Sequence, residues 1–169
     1  ETDYDSIGVE LLKINFKSDW QDILHCRFFM KLYTIGTSNR SLEEFISLLK
    51  QYEVEVLVDI RNFPASKFEH FRGENLRQAI EEAGIEYIHI KELGGYRAGG
   101  YLKHMESGEF KEGFEKLLEI AGEKQAAIMC AELLFFRCHR RFISDELVKL
   151  GFKVFHILDV KRLFEHELR

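Results

Sequence analysis

Val54-Glu-Val-Leu-Val-Asp-Ile60 decides the fold. Five of its seven residues are apolar, and four of those are β-branched. A strand wetted on one face alternates apolar with polar residues. A nearly continuous apolar run is instead expected of a strand covered on both faces, the habit of parallel sheets flanked by helices. Asp59 and Arg61 at its C-terminal end are the only strongly polar groups after Glu55.

Working outward, the same unit recurs. Lys31-Leu-Tyr-Thr-Ile35 reads as a strand ending at Gly36. Ser41-Leu-Glu-Glu44 is a capping box, with the hydroxyl set to accept the amide of Glu44 and the carboxylate set to reach back. Leu42, Phe45, Ile46 and Leu49 then share one helical face. After the central strand, Leu76, Ala79, Ile80 and Ala83 mark a second helix stopped by Gly84. Ile85–Ile90 is a third strand. Residues 92–108 read as a long loop with five glycines, mobile over whatever lies beneath. Phe110, Phe114, Leu117, Leu118 and Ala121 give a third helix, Gln125–Cys130 a fourth strand, and Phe142, Ile143, Leu147 and Leu150 a fourth helix ended by Gly151. Lys153–Leu158 is a fifth strand, and a short helix is expected from Asp159.

Strand and helix alternate with short links. The expected fold is therefore α/β: three layers, α/β/α, around a mostly parallel five-stranded sheet with helices on both faces. Residues 30–169 form one domain. Residues 1–29 are set apart by six acids against three bases and read as an N-terminal extension or peripheral arm. Within them, residues 7–16 suggest a strand and Trp20, Ile23 and Leu24 the start of a short helix.

The 169 residues are 46% hydrophobic and 31% charged, the profile of a soluble domain with a sizeable core. The net charge of −5 provides no global basic field for nucleic acid. No apolar run is long enough for a transmembrane helix. No charged-then-apolar run ends at a small-residue cleavage site, so a secretory signal is not expected. Three cysteines without tight spacing argue for a reducing compartment rather than a disulfide framework, so a cytoplasmic location is expected.

Right-handed crossovers bring all parallel strand ends to one edge, where ligands of such folds sit. The polar residues collect there. The first strand leads to Ser38, Asn39 and Arg40, the second to Asp59 and Arg61, the third to Gly94, Gly95 and Arg97, and the fourth to Cys130 and Glu132. Arg137-Cys-His-Arg-Arg141 then opens the fourth helix. The opposite strand ends carry plain connectors such as Gln51-Tyr-Glu and Gly122-Glu-Lys. Arginines at a helix start favour an anion there. Phosphate or carboxylate is the natural guest, held by Arg61, Arg137 and Arg140 with help from Ser38, Asn39, Arg40, Gly94, Gly95 and Arg97. The same arginines also read as structural partners of Asp59, Glu92 and Glu132.

Asp59 and Glu132 are the candidate acid–base pair, assisted by Cys130 or His139. Cys130, at a strand end beside basic groups, reads either as a nucleophile or as a small buried apolar residue. Phe136 stands where a phosphatase-type loop after Cys130 carries its arginine, and Arg137 comes one residue late. Cys138 reads equally as a helix-packing residue. Cys130, Cys138 and His139 fit no zinc spacing, so no metal is expected. No dinucleotide fingerprint or Walker A loop is present, and no cofactor is expected. The implied partner is an anionic small molecule or a nucleic acid, not a membrane. The oligomeric state is open.

Tyr33-Thr-Ile-Gly36 with Ser38-Asn39, Leu57-Val-Asp-Ile-Arg-Asn-Phe-Pro64, Leu93-Gly-Gly95, Cys130-Ala-Glu132 and Arg137-Cys-His-Arg140 together resemble the domain-of-unknown-function 488 family, over about residues 31–158. The resemblance implies a small intracellular prokaryotic protein and no particular reaction. Its shared positions fall on Asp59, Arg61, Cys130, Glu132, Arg137, His139 and Arg140. Thr37 departs from it, where members often carry His. So do Ala65, Phe68 and Glu69, where members are more basic, and the apolar run Leu133–Phe136.

Overall fold

A computed structural model describes residues 30–168. The readings of residues 7–24 as strand and helix lie outside the described residues. In chain order the elements are β1 (Lys31–Gly36), α1 (Leu42–Gln51), β2 (Val56–Asp59), α2 (Gly73–Glu82), β3 (Glu86–His89), α3 (Tyr101–Met105), α4 (Gly108–Glu123), β4 (Ala126–Cys130), α5 (Arg140–Lys149), β5 (Lys153–Ile157) and β6 (Leu163–Glu165).

The sheet has six strands in the order β3-β2-β4-β1-β5-β6. The first five are parallel, and β6 runs antiparallel to β5. From β1 the chain moves outward to β2 and β3, then returns to β4 and crosses to β5. Right-handed crossovers in opposite directions put their helices on opposite faces. Accordingly Phe45, Leu48 and Leu49 of α1 and Leu76 and Ile80 of α2 pack on Ile35, Leu57, Ala127 and Met129. Phe110, Phe114, Leu117 and Leu118 of α4 and Ile143 and Leu147 of α5 pack on Leu32, Val56, Val58, Ala126 and Ile128. Successive strand residues thus serve opposite layers, which is why β2 and β4 are buried along their whole length.

The turn back in strand order brings the C-terminal ends of β1, β2 and β4 side by side. Thr37 and Ser38 donate their amides to the carbonyls of Cys130 and Ala131, at 2.9 and 3.0 Å, so the first loop is zipped to the end of β4. Gly36 is required for this approach, because a Cβ there would lie 2.0 Å from the Glu132 carbonyl oxygen.

The five-stranded expectation falls one strand short, and the helix expected from Asp159 is a turn into β6. The Asp159 carboxylate does cap backbone amides, those of Lys161 and Arg162 at 2.9 Å, but in a turn that folds the chain back on β5. The capping box is half formed. Ser41 accepts from the Glu44 amide at 3.0 Å, whereas the Glu44 carboxylate is taken by Arg40 at 2.8 Å. The expected long loop over 92–108 contains α3 and is pinned by Arg97. That guanidinium donates to the carbonyls of Gly94 and Lys91 at 3.0 and 2.8 Å and pairs with Glu109 at 2.9 Å.

Candidate functional site

A cleft of about 710 Å³ opens at the C-terminal ends of β2 and β4. Its walls come from Arg61, Asn62 and Phe63 after β2, Gly95 and Tyr96 in the pinned loop, and the segment from Cys130 to Phe142. In its wall the sulfurs of Cys130 and Cys138 lie 2.7 Å apart, one at the end of β4 and the other just before α5. Both residues are nearly sealed from solvent, at 2% and 6% exposure.

Three donors converge on the Cys138 sulfur. Cys130 Sγ is one, the Arg140 backbone amide at 3.4 Å is the second, and His139 Nδ1 at 3.5 Å is the third when protonated. The Cys130 hydrogen bond, followed by His139 and the Arg140 charge, holds the Cys138 thiol well below the ordinary range despite its burial. Burial and the neighbouring Cys138 push the Cys130 thiol in the opposite direction. The two shifts run in opposite directions, which makes Cys138 the more acidic member of the pair. His139 Nε2 donates to the Ile60 carbonyl at 3.0 Å. That fixes the tautomer, so the neutral ring presents Nδ1 to Cys138 as an acceptor and the imidazolium presents it as a donor. Tyr101 backs the His139 ring at a centroid distance of 5.2 Å.

Charge at the mouth is supplied by residues that remain exposed. Arg137 and Arg141 are exposed and line the cleft, as does Glu132. The Arg137 guanidinium makes no hydrogen bond or ion pair among the described residues. Among the same residues the Arg141 guanidinium makes a single hydrogen bond, to the Phe136 carbonyl, 3.5 Å long. Three aromatic side chains complete the rim: Phe63 at 76% exposure, Tyr96 at 100% and Phe136 at 49%. Tyr96 holds a positive φ of 56°. That conformation costs a non-glycine residue about 1–2 kcal/mol.

A profile of the domain of unknown function DUF488 matches residues 41–147, well over half the chain. The chain belongs to the DUF488 family. No curated protein and no solved structure matches it.

In this DUF488 protein the polar residues singled out in the sequence fall into two groups. Cys130, Glu132, Arg137, His139 and Gly95 line the cleft; Arg61 also reaches its wall, but its guanidinium is spent on Asp59 and the Phe71 carbonyl and is not the open anion holder the sequence suggested. The others are committed to the protein itself. Arg40 is buried, donating to the Gly36 carbonyl at 3.0 Å, to Glu44 and to the Leu158 carbonyl. Ser38 and Asn39 contact each other at 3.3 Å beside it, outside the cleft lining. Arg140, 1% exposed, donates to Thr34 Oγ1 at 3.1 Å and to the carbonyls of Glu132 and Leu133. Gly94 packs on the Asn62 backbone and Gly95 on the His139 ring. Asp59 is fully buried, bound by Arg61 and by the Tyr87 hydroxyl at 2.6 Å. Its lone pairs are occupied, which leaves Glu132 as the carboxylate open to the cleft.

Sequence alone does not single out Cys138 or the rim aromatics. A thiol directly before a histidine at a helix start, with a second thiol at the preceding strand end, was the available signal. Nothing local pointed to Tyr96 or Phe63 as exposed. Behind Arg140 lies a chain of buried polar groups. Thr34 Oγ1 meets His156 Nδ1 at 2.7 Å, His156 Nε2 meets His166 Nδ1 at 2.8 Å, and His166 Nε2 meets Asp145 at 2.7 Å. With both histidines neutral every link has one donor and one acceptor, running from Arg140 to Asp145. Burial, then the neighbouring His166 and Arg140, lower the His156 pKa to about 3. The chain holds Arg140 in place, and Arg140 in turn fixes the Glu132–Leu133 turn. Among the described residues no group of three or more His, Cys, Asp or Glu is arranged to hold a metal ion. No helix among them is long and apolar enough to cross a membrane.

Proposed function

We propose that this protein is an enzyme acting on a phosphorylated, ring-bearing ligand of the nucleotide or nucleic-acid-derived class, with Cys138 as the reacting nucleophile. The observation that carries the reading is the composition of one cleft. A cysteine–histidine pair forms its wall, two arginines with little internal bonding stand at its mouth, and three exposed aromatic rings surround it. Arg137 and Arg141 suit a phosphate through charge-assisted hydrogen bonds. The rings of Phe63, Tyr96 and Phe136 suit a flat heterocycle, since stacking contributes about 1–3 kcal/mol per base. Cys138 then attacks the electrophilic centre while His139 Nδ1–H protonates the leaving group. Glu132, open to the cleft, orients or activates the water that releases the covalent intermediate.

The test is calorimetric titration with a nucleoside monophosphate, the matching nucleoside and inorganic phosphate. The monophosphate is expected to bind tightest. Arg137→Ala and Arg141→Ala should each weaken it roughly tenfold or more, as removal of a hydrogen bond to a charged group does. Tyr96→Ala should weaken the nucleoside and leave inorganic phosphate unaffected. Failure of any phosphorylated compound to bind, or indifference of binding to both arginines, sinks the proposal.

A second reading, a non-catalytic nucleic-acid-binding module, is favoured by the same exposed rings. It requires oligonucleotide binding whose salt slope falls when Arg137 or Arg141 is removed, with no turnover.

A further inference from the structure

Cys130 has no part in the chemistry assigned above beyond lending a proton to Cys138. Yet its sulfur is the nearest reactive group to that thiolate, at 2.7 Å, with nothing between them. We infer that Cys130 and Cys138 form a redox-active dithiol, in which a small hydroperoxide oxidises Cys138 and Cys130 resolves the product as an intramolecular disulfide. The inference rests on Cys138 as the reactive thiolate, and not on the anionic ligand.

Three features of the geometry carry it. Redox-active pairs combine an activated thiol with a resolving thiol close at hand. Cys138 receives the convergent donors of Cys130, Arg140 and, when protonated, His139, whereas among the described residues Cys130 has only Cys138 and, at 3.9 Å, the Glu132 carbonyl. The two roles are therefore unequal before any oxidant arrives. Next, both sulfurs face the same cleft, so the oxidised intermediate forms within reach of its resolver. Finally, the 6% exposure of Cys138 bars a protein disulfide from approaching in line, while a peroxide of few atoms fits the cleft.

The chemistry balances in two steps. The Cys138 thiolate attacks the distal peroxide oxygen and breaks the O–O bond. With one proton taken up, this yields Cys138 sulfenic acid and an alcohol, or water when the oxidant is hydrogen peroxide. The Cys130 thiol then attacks the Cys138 sulfur, forms the S–S bond and expels the hydroxyl as water. Two electrons have passed from the dithiol to the peroxide, and a dithiol reductant restores them. His139 Nδ1–H is placed to protonate the departing oxygen in the first step. The disulfide consumes the Cys138 thiolate in the cleft that Arg137 and Arg141 also line, so the oxidised protein lacks the nucleophile the reduced one offers.

The test uses the full chain carrying Cys26→Ser, which removes the third thiol. The protein is exposed to stoichiometric hydrogen peroxide, alkylated and digested with trypsin. The expected result is a disulfide joining the peptide 125–137 to the peptide 138–140, with no alkyl group on either and full reversal by dithiothreitol. Adding Cys130→Ser should stop the reaction at Cys138 sulfenic acid, trapped by a 1,3-dione probe. Adding Cys138→Ser should leave Cys130 alkylatable. Cys130 still alkylated after Cys138 has been oxidised, or equal oxidation rates in the two serine variants, overturns the inference. The linked peptides are read on the chain with both thiols intact, so poor folding of either serine variant does not blunt the test. Disulfide formation in a protein whose arginine variants bind phosphorylated ligands normally overturns only the anion reading. Normal arginine dependence without the disulfide overturns only this one.

Discussion

The Asp59 carboxylate accepts the Arg61 guanidinium at 2.9 Å from Nε and 2.6 Å from Nη2, and the Arg61 backbone amide at 3.1 Å. Tyr87 donates its hydroxyl to the same carboxylate, and the remaining Arg61 nitrogen donates to the Phe71 carbonyl at 2.8 Å. Burial and the Asp59 charge together push the Tyr87 phenol far above its ordinary range, so it remains a donor throughout. The cluster ties β2 to β3 and to the segment before α2. Replacing Asp59 by Asn keeps the shape and strands the buried guanidinium. Breaking a buried pair in this way costs about 3–5 kcal/mol. Urea unfolding of Asp59→Asn should show that loss, and the Asp59→Asn/Arg61→Met double variant should recover part of it. A single variant within about 1 kcal/mol of the parent would show that the pair is not structural.

That pair marks the boundary of what the sequence discloses. The apolar runs at Val56–Val58 and Ala126–Met129 are legible because a two-faced burial leaves no room for polar residues. The order β3-β2-β4-β1-β5 is not legible, since pairing partners are separated by whole helices. β6 is missed because Leu163, Phe164 and Glu165 are all exposed and lack any burial pattern. At the site, the edge itself is legible from the one-sided loading of polar residues. The division of its arginines is not. Arg61 and Arg140 turn inward while Arg137 and Arg141 face out, and nothing in a run of like residues distinguishes an anchor to a carbonyl from a hand held to a ligand.

The His156 link predicts acid sensitivity. Its pKa falls from the ordinary value near 6.5 to about 3, because burial and the neighbouring His166 and Arg140 disfavour the imidazolium. The unfolded chain therefore binds more protons between those two values. This contribution to stability is complete above about pH 6.5 and is lost as pH falls towards 3. The limiting slope is about 1.4 kcal/mol per pH unit for one proton. Urea midpoints should fall between pH 7 and pH 5 in the parent, and His156→Gln should flatten that fall. Parallel profiles for the two proteins would locate the acid sensitivity elsewhere.

Cys138 should resist acid as a nucleophile. An ordinary thiol, with pKa near 8.5, loses about tenfold in thiolate per unit of pH below that value. Because the Cys130 hydrogen bond, His139 and Arg140 hold the Cys138 pKa low, its thiolate persists as pH falls and drops only when pH passes the lowered value. Iodoacetamide labelling read by peptide mass should therefore be nearly flat for Cys138 from pH 8 to pH 6. Cys130→Ala removes the largest of these influences and should make the profile steeper. A tenfold fall per unit in the parent would show an ordinary thiol.

Two neighbouring glycines should separate stability from chemistry. A Cβ on Gly94 would sit 2.5 Å from both Cα and N of Asn62, which are backbone atoms in the segment leading out of β2. They cannot yield without moving Arg61. Gly94→Ala should therefore cost about 1–3 kcal/mol, the usual penalty of overpacking, and lower the urea midpoint. A Cβ on Gly95 would sit 2.9 Å from His139 Nδ1, a side-chain atom. The imidazole can swing away, at the expense of the contact with Cys138 that this nitrogen makes at 3.5 Å. Gly95→Ala should thus lose less stability than Gly94→Ala, yet steepen the pH profile of Cys138 labelling, as His139→Ala should. An unchanged midpoint for Gly94→Ala, or an unchanged labelling profile for Gly95→Ala, would mean that the loop after β3 does not position the cysteine–histidine pair.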